Sequence, residues 1–555
     1  MKKHEQFTVL GRPFFPVGAQ AHNSTSYVLD DLRITFDGVR KLNGNSCAVT
    51  ICWDRFEPEE GRFDARYITD IIDLAREMDL HLVLLWFGTW KNGIMSYCPG
   101  WVKTQPARFE RARSADGTQM LNLTCHCKAN LEADARAFRE LCAVVKRHDA
   151  DVGTVLGLQV ENEAGQWLGA RRDFHPEATK AFEAPVPETL LDYLDAHRDG
   201  EAYRRWQLAG GGRGGSWAEV FGRFGAEAFT AWTVARYIDA VAEAGKSAYD
   251  IFLYVNVALD GLSKGEDFEL PGLSYFGGGP VPKVRDIWYA ALEHVDALCP
   301  DDYKLETNRH REVLETYAHP ERGWPLYVPE SGLEAINTAH MMYAAAELGA
   351  IGYHIFGAES CLDGQGQLRP EAEGVARSFL MLKNIAPLLI RHRGEPCLRA
   401  IYQNTGETGM LLELENWKCY ASFVGLKAYN WGLLGADFRH PEMNRGAFND
   451  PFDYRAEKGR AILVQTGPDE FYAVGHGCHL FFSEYEPLDG SLPVKLLNPT
   501  LQITTTDYVE VTEGHFDAQG RYVPDRVRSG DESWRGLWLA ADCGVVRFTL
   551  NRAEG

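Results

Sequence analysis

The sequence lacks the long apolar run that a membrane-spanning helix requires. Nowhere do about 18 apolar residues follow one another without a charged residue. Residues 1–18, MKKHEQFTVLGRPFFPVG, contain no apolar segment of about seven residues and no small-residue cleavage site, so no secretion signal is visible. We therefore expect a protein that contacts no membrane and that is located in the cytoplasm.

The sequence also lacks an excess of positive charge. Lys and Arg number 57 against 78 Asp and Glu, which gives a formal net charge of -21. Such a charge repels the phosphates of nucleic acids and of anionic lipids. The short basic cluster at residues 391–393 is typical of a solvated loop. The charge balance therefore argues against a nucleic-acid partner.

Cysteine spacing typical of disulfide frameworks or zinc sites is missing. The 12 cysteines are unevenly spaced, and several lie in apolar runs where a reduced thiol behaves as a small hydrophobe. Cys125, His126 and Cys127 are adjacent, but no second pair of ligands completes a zinc pattern. The glycine-rich stretch LAGGGRGGSW (208–217) lacks the Gly-Lys-Ser/Thr ending of a phosphate loop. We expect neither a metal nor an organic cofactor.

A repeated alternation of short apolar runs with helical stretches occupies the first two-thirds of the chain. This pattern is typical of a parallel β-sheet covered by helices. The predicted strands are residues 14–20, 46–54, 81–88, 154–162, 250–257, 295–303, 325–331 and 350–357. Eight strands are the number that a (β/α)8 TIM barrel requires. We therefore predict an α/β protein whose residues 1–385 form such a barrel.

The pattern changes after about residue 385. Short runs of alternating apolar and polar residues follow, separated by Gly, Asp and Asn: MLLELE, YASFVGL, AILVQTG, EFYAVG, HLFFSEY, LQITTT, YVEVTEG and VVRFTLNR. An alternation with a period of two is typical of antiparallel strands with one buried face. We predict that residues 386–555 form an antiparallel β-sandwich domain.

Two glutamates follow predicted barrel strands at the end where active sites lie. Glu163 comes after the fourth strand in LQVENEAG, and Glu330 comes after the seventh in PLYVPESG. Each alone could be structural, Glu163 as a helix cap or loop carboxylate and Glu330 in a salt bridge. Together they indicate glycoside hydrolysis, in which one carboxyl protonates the leaving oxygen and another carboxylate acts at the sugar ring.

Further polar and aromatic residues lie near the same strand ends. Trp90 offers a flat face for a pyranose ring, and Asn256 and Tyr303 could bond sugar hydroxyls. His354, on the eighth strand, is interpreted either as a substrate contact or as a core imidazole with satisfied hydrogen bonds. We include all four among the candidate substrate-binding residues.

Six motifs together resemble glycoside hydrolase family 35, the β-galactosidases. They are GAQAHNS (18–24), WDRFEPEEGRFD (53–64), LLWFGTWKNG (84–93), LQVENEAG (158–165), YVNVAL (254–259) and PLYVPESG (325–332). A later run, ILVQTGPDEFYAVGHG (462–477), resembles the C-terminal β-domain of a bacterial branch of that family. The resemblance covers nearly the whole chain.

This resemblance implies roles for three residues. Glu163 would be the general acid/base, Glu330 the nucleophile that forms a covalent glycosyl-enzyme, and Asn162 a partner of the sugar 2-hydroxyl. The reaction would retain the anomeric configuration, with the two carboxyl groups about 5 to 5.5 Å apart. The chain departs from the family where it reads Gly-Thr-Trp-Lys-Asn (88–92) in place of Ala-Glu-Trp. Lys91 and Asn92 are candidates to replace the missing carboxylate contact.

The leading hypothesis is an exo-acting retaining β-galactosidase that acts on oligosaccharides. A second hypothesis keeps the scaffold but changes the sugar or the acceptor, giving a β-glucoside-acting enzyme or a transglycosylase. A third is a non-catalytic carbohydrate-binding protein, because a fold alone does not fix function. Self-association into a homo-oligomer is also expected for an acidic barrel enzyme of this size.

Overall fold

The computed structural model describes residues 3–167, 171–259, 270–423, 452–453, 455–484, 507–528, 533 and 536–551. Its first part is a barrel of parallel strands surrounded by helices, and its last part consists of antiparallel sheets. Both parts of the predicted fold class, the TIM-type barrel and the C-terminal β region, are confirmed.

Eight of the first twelve strands in the described residues form one parallel sheet, in the order β11-β10-β9-β8-β5-β4-β3-β12. The twelve strands are β1 (Thr8–Val9), β2 (Arg12–Pro13), β3 (Val17–Gln20), β4 (Ser46–Cys52), β5 (His81–Lys91), β6 (Arg111–Arg113), β7 (Gln119–Leu123), β8 (Val155–Asn162), β9 (Phe252–Ala258), β10 (Ala297–Asp302), β11 (Glu330–Ser331) and β12 (Tyr353–Phe356). A parallel bridge between Val328 and Tyr353 joins the two edges of the sheet. The sheet therefore closes into a barrel. The closing bridge lies just before β11, which is the shortest strand of the sheet.

Fourteen α-helices lie within the described residues. They are α1 (Leu29–Lys41), α2 (Trp53–Phe56), α3 (Ala65–Glu77), α4 (Gly100–Lys103), α5 (Lys128–Asp149), α6 (Pro176–Glu183), α7 (Glu188–Ala196), α8 (Glu201–Leu208), α9 (Trp217–Phe221), α10 (Gly225–Ala248), α11 (Arg285–Ala291), α12 (Thr307–Tyr317), α13 (Asn337–Ala346) and α14 (Pro370–Arg391). In α3, Ile68, Ile71 and Ile72 are buried on one stripe, and the Asp64 side chain caps the first turn by accepting from the Tyr67 N–H. None of the helices in these ranges is long and apolar enough to cross a membrane.

Side chains from the strands fill the inside of the barrel. Ala48, Val83, Leu85, Tyr254 and Cys299 belong to this interior cluster. Phe7, from the segment before the barrel, joins it, and its ring centroid lies 4.5 Å from that of Phe252. The interior is therefore a packed core rather than a channel, which leaves the mouth as the place for a site.

The C-terminal strands form a six-stranded sheet, β13-β16-β17-β22-β19-β20, and a four-stranded sheet, β14-β15-β18-β21. They are β13 (Leu398–Tyr402), β14 (Gly409–Glu413), β15 (Trp417–Ser422), β16 (Arg460–Gln465), β17 (Glu470–His476), β18 (Cys478–Glu484), β19 (Asp507–Phe516), β20 (Tyr522–Val527), β21 (Leu537–Leu539) and β22 (Val545–Asn551). All pairs in these sheets are antiparallel. The predicted run LQITTT (501–506) lies outside the described residues.

The six-stranded sheet is buried on both faces at β16. On β16, Ala461 and Leu463 point into the core shared with the four-stranded sheet, whereas Ile462 and Val464 point into the core of the barrel helices. Successive side chains of a strand project to opposite faces, so one strand contributes to both cores. The last barrel helix, α14, ends at Arg391, and the predicted domain boundary at residue 385 lies within it.

Arg460 is a fully buried side chain that links the six-stranded sheet to α14. Its guanidinium donates to the Ser378 hydroxyl at 2.7 Å, to the Gly374 carbonyl at 2.8 Å and to the Glu457 carboxylate at 2.8 Å. Removal of a buried charged partner leaves the groups around it unsatisfied, which is costly.

We expect Arg460→Met to lower the free energy of unfolding by about 3 kcal/mol, because the Ser378 hydroxyl and the Gly374 and Lys458 carbonyls lose a buried charged donor, while Glu457 keeps Arg377. Denaturant-induced unfolding measures the change. Arg521→Met is the matched control, since Arg521 pairs with Asp517 on the surface with three-quarters of its side chain exposed. Equal effects of the two substitutions would contradict this account of the link.

Candidate active site

Three carboxyl groups meet at the mouth of the barrel. Glu163 directly follows β8, Asp301 lies near the end of β10, and Glu330 begins β11, where it is in register with Asp301. One carboxyl oxygen from each residue lies within 4.8 Å of those of the other two. The structure therefore brings together the two glutamates predicted from the sequence and adds a third acid.

Glu330 is buried and surrounded by donors. The Tyr303 hydroxyl donates to its Oε2 at 2.8 Å. Burial raises the pKa of Glu330, while the Lys91 ammonium, the Tyr303 hydroxyl and the Gln20 side chain lower it. These donors stabilise the carboxylate form, which is the form that a nucleophile requires.

Glu163 is held by two asparagines. The Asn92 side-chain amide donates to its carboxylate, and the Glu163 N–H donates to Asn256 Oδ1 at 2.8 Å. Burial, followed by the charge of Glu330, raises the pKa of Glu163 to about 7. Because the charge of Glu330 raises the pKa of Glu163, Glu330 releases its proton first. At neutral pH Glu163 is therefore close to half protonated, as a general acid/base should be.

Lys91 supplies the positive charge next to this pair. Its Nζ donates to Asn162 Oδ1 at 2.8 Å, and its charge lowers the pKa values of both Glu163 and Glu330. Asn162 is fully buried, and its side-chain Nδ2 has no hydrogen-bond partner within the described ranges. A buried amide donor at this position is available to a ligand oxygen.

A second pair of acids, Glu161 and Asp134, lies beneath the mouth. Glu161 accepts from the N–H groups of Thr89 at 3.1 Å and Trp90 at 2.7 Å. Burial and the neighbouring Asp134 raise the pKa of Glu161 well above its usual value, so Glu161 keeps its proton. A Cβ atom at Gly88 would lie 2.6 Å from Glu161 Oε1, so only glycine fits there.

Hydrogen bonds to this acid pair hold the segment that carries Lys91 and Asn92. Trp86 of β5 is in register with Val160 of β8, and Lys91 with Asn162, so that residues 87–90 face Glu161 alone. Residues 87–90 therefore form a bulge in β5. The extra N–H groups of this bulge need acceptors, and Glu161 accepts from two of them. Sequence reasoning missed Glu161 and Asp134, because carboxylates inside apolar runs resemble ordinary strand ends and helix positions.

Thr89 and Trp90 lie away from the open cleft. The Thr89 hydroxyl donates to Asp134 at 2.7 Å, and Trp90 is fully buried with its ring edge-on to Tyr237. The assignment of Trp90 to sugar binding is therefore not supported, because its face is covered by protein. Lys91 and Asn92, two positions later, do reach the carboxyl cluster.

His354 lies inside the barrel and far from its mouth. It is in register with Gly18, which is in register with Ser46, the first residue of β4. Its ring nitrogens contact the Ser46 hydroxyl at 2.8 Å and the Tyr327 hydroxyl at 2.5 Å. Burial lowers the pKa of His354 to about 3. The structure favours the core-imidazole interpretation over the substrate contact.

Asn256 and Tyr303 both lie at the carboxyl cluster, although their contacts differ from those predicted. Asn256 is fully buried and bridges Glu163 to Asp301, to which its Nδ2 donates at 2.7 Å. Tyr303 is 44% exposed and bonds Glu330. Their binding of sugar hydroxyls stays a prediction.

The three carboxyl groups at the mouth are spaced closely enough to hold a metal ion. The Lys91 ammonium, however, already provides a cation beside Glu163 and Glu330, and hydrogen-bond donors occupy both of them. This donor set fits an acid/base pair better than a cation site. Cys125, His126 and Cys127 are not grouped for metal binding in the part of the chain that the structure describes.

We expect Glu330→Gln to lower the pKa of Glu163 by about one unit, because the substitution removes a like charge a few ångströms away and keeps the shape of the side chain. Infrared or ¹³C NMR titration of the Glu163 carboxyl measures the shift. Glu371→Gln, at an exposed position on α14, should leave the pKa unchanged. An unshifted value in Glu330→Gln would assign the whole elevation to burial.

We expect Glu161→Ala to speed hydrogen exchange in residues 87–92, since the N–H groups of Thr89 and Trp90 lose their acceptor. Mass spectrometry of peptides that cover this segment gives the rate. Glu161→Gln retains one acceptor oxygen and should have the smaller effect. Unchanged exchange in both variants would show that Glu161 does not clamp the bulge.

Two family models match parts of the sequence. Residues 30–206 match glycoside hydrolase family 42, described as β-galactosidase, and residues 375–540 match a domain family of unknown function, DUF5597. The first match includes Glu163, ends before Glu330 and spans less than half of the chain. No curated protein matches the sequence.

Several solved structures are similar to the chain. They include a β-galactosidase from Rahnella sp. R3 (15% identity, 69% of this chain and 58% of that one, TM-score 0.44) and a family 42 β-galactosidase, Gan42B, from G. stearothermophilus (12%, 70% and 59%, 0.45). A third is the catalytic domain of a β-amylase from Paenibacillus polymyxa (11%, 66% and 97%, 0.47). The chain spans less than two-thirds of the length of both β-galactosidases. The family that residues 30–206 resemble is family 42, so the family 35 assignment predicted from the motifs is wrong.

Proposed function

We propose that the protein is a retaining glycoside hydrolase that removes terminal β-galactosyl residues from oligosaccharides. The observation that carries the proposal is the pair Glu163 and Glu330, whose carboxyl oxygens lie within 4.8 Å of each other at the barrel mouth. Retaining glycosidases require two carboxyl groups about 5 to 5.5 Å apart, whereas inverting enzymes separate them further to admit water.

The different environments of the two glutamates support different roles for them. Glu330 ionises first and receives the Tyr303 hydroxyl, so it attacks the anomeric carbon and forms the glycosyl-enzyme. Glu163 gives its proton to the departing glycosidic oxygen. In the second half-reaction Glu163, now ionised, takes a proton from the water that attacks the same carbon, and Glu330 leaves as a carboxylate.

Asn162 and Lys91 are proposed to bind the sugar that reacts. The Asn162 Nδ2 is a buried donor without a partner in the described residues, and the Lys91 ammonium lies beside both carboxyl groups. A donor that bonds the 2-hydroxyl strengthens its bond as charge develops on the ring, which accelerates the reaction. The galactoside specificity is supported by the match of residues 30–206 to the β-galactosidase family.

A second candidate is a β-glucoside-acting enzyme or a transglycosylase on the same scaffold. It is favoured by the burial of Thr89 and by the placement of Lys91 and Asn92 at the cleft, where the motif comparison predicted a carboxylate. Product analysis with mixed disaccharides separates these activities, because water as the sole acceptor excludes a transferase. A cytoplasmic location and self-association remain predictions.

The proposal is tested with a panel of aryl β-glycosides. We expect the galactoside to be hydrolysed, and Glu330→Gln to lose about a thousandfold or more in kcat, since the nucleophile is removed. Glu163→Gln should lose about a hundredfold or more with poor leaving groups and less with good ones, because only poor ones need a proton. Glu371→Gln is the control for an exposed carboxylate.

Proton NMR of the first product, before mutarotation, determines whether the β-anomer is retained. Wild-type rates in both Glu330→Gln and Glu163→Gln would overturn the proposal, and an initial α-anomer would exclude the retaining mechanism. Binding of galactosides without turnover would instead favour the carbohydrate-binding hypothesis.

A further inference from the structure

Asp301 is a third carboxyl group in the cluster, and a two-carboxylate mechanism assigns it no task. It lies on β10, is only 4% exposed, and is in register with Glu330 on one side and with Ala258 of β9 on the other. Placement of a carboxyl group here is costly, because it is buried beside two others. Such a group persists only if it has a structural or chemical role.

The two oxygens of Asp301 have different neighbours. Oδ2 accepts from the Asn256 amide at 2.7 Å. Oδ1 receives no N–H or O–H donor from the residues that the structure describes. A carboxyl oxygen of Glu163 lies within 4.8 Å of an Asp301 carboxyl oxygen, and the two side chains are in hydrogen-bonding contact. Two carboxyl groups can share such a contact only if one of them carries a proton.

The surroundings of Asp301 indicate which group carries that proton. Four side chains that are neutral, or become negative on ionisation, surround it: Tyr303 directly after β10, Cys299 on β10, Tyr254 on β9 and Tyr327 before β11. The nearby cation, Lys91, lowers the pKa values of Glu163 and Glu330 instead. Burial, Glu330 and Glu163 raise the pKa of Asp301 well above its usual value.

We infer that Asp301 is a positioning residue that keeps its proton and donates a hydrogen bond to Glu163, so that it favours the ionised form of Glu163. The inference rests on the proposed function, in which Glu163 alternates between acid and base. Glu163 must be protonated to cleave the substrate and ionised to activate water. A neutral donor helps the second task without adding a negative charge that would oppose it.

Asn256 makes the arrangement rigid. Its Nδ2 donates to Asp301, while its Oδ1 accepts from the Glu163 N–H, so one amide connects the backbone of the acid/base to the carboxyl that bonds its side chain. The orientation of the Asp301 carboxyl is thereby fixed, with Oδ2 towards Asn256 and the hydroxyl towards Glu163.

Two substitutions test this inference. Asp301→Asn has the same shape, cannot ionise, and keeps an oxygen for Asn256 and an N–H for Glu163. Asp301→Ala removes both contacts. The readout is the pH dependence of kcat/KM for an aryl β-galactoside, whose basic limb reports the loss of the Glu163 proton in the free enzyme.

We expect Asp301→Asn to leave the basic limb where it is in the wild-type protein. Asp301→Ala should move it upward by about one pH unit, because the ionised form of Glu163 loses a donor. With a dinitrophenyl galactoside, whose departure needs no acid, the acidic limb of kcat should move upward by about one pH unit in Asp301→Ala, because Glu163 is then harder to ionise in the water-activating step.

A downward shift in either variant would overturn the inference, since it would mean that Asp301 is ionised and repels the charge on Glu163. A basic limb that stays in place in Asp301→Ala, with kcat/KM lowered equally at every pH, would also overturn it by showing a purely structural role. Asp302→Asn is the matched control, because that buried neighbour bonds His310. It should change the melting temperature and not the basic limb.

Failure of the proposed function is distinguishable from failure of this inference. If no glycoside is turned over by the wild-type protein, infrared or ¹³C NMR titration of the Glu163 carboxyl gives the same comparison without catalysis. The Glu163 pKa should then rise in Asp301→Ala and stay constant in Asp301→Asn. A fall in both variants would show an ionised Asp301.

Discussion

Repulsion between buried carboxyl groups is the constraint around which the mouth of this barrel is arranged. Glu163, Asp301 and Glu330 lie within 4.8 Å of one another, and Glu161 with Asp134 forms a second acid pair beneath them. Charged groups this close in a medium of low polarity cannot all ionise. Each therefore has a distinct set of hydrogen-bond donors. Glu330 is the carboxylate, Glu163 is the acid/base, and Asp301 and Glu161 are the acids that keep their protons.

The hydrogen-bond donors that stabilise these carboxyl groups come from several strands of the barrel. The bulge in β5 brings Lys91 and Asn92 to the mouth, β9 contributes Asn256, and the residue after β10 contributes Tyr303. Because the carboxyl ends of parallel strands converge, residues far apart in sequence become neighbours there. The C-terminal sheets lie away from the mouth: they pack on α13 and α14, and the buried Arg460 connects them to α14.

Much of this architecture could be predicted from the sequence, because buried parallel strands are continuous apolar runs and their ends carry the chemistry. All eight barrel strands lie where the apolar runs predicted them, and Glu163 and Glu330 meet as expected. The part that could not be predicted depends on side-chain direction. In the sequence, Asp301 follows an apolar run, as a loop residue would. Trp90 resembles an aromatic residue that stacks on a sugar, but the bulge in β5 directs its side chain into the core. His354 resembles a cleft residue, but its register places it near the amino ends of the strands.

The backbone at residues 161–163 explains how two nearby glutamates belong to different groups of acids. Glu161 belongs to the pair with Asp134, and Glu163 belongs to the cluster at the mouth. Glu161 and Glu163 have φ values of 63° and 45°, in the left-handed region that costs a non-glycine residue about 1 to 2 kcal/mol. In a regular strand these side chains would point the same way. Here Glu161 turns towards Asp134 and Glu163 turns towards the mouth. The hydrogen bonds that Glu161 accepts from the β5 bulge, and the one that the Glu163 N–H donates to Asn256, offset this strain. The same bonds fix the position of Glu163 relative to Asp301 and Glu330, so the strained turn and the spacing of the carboxyl groups are one structural feature.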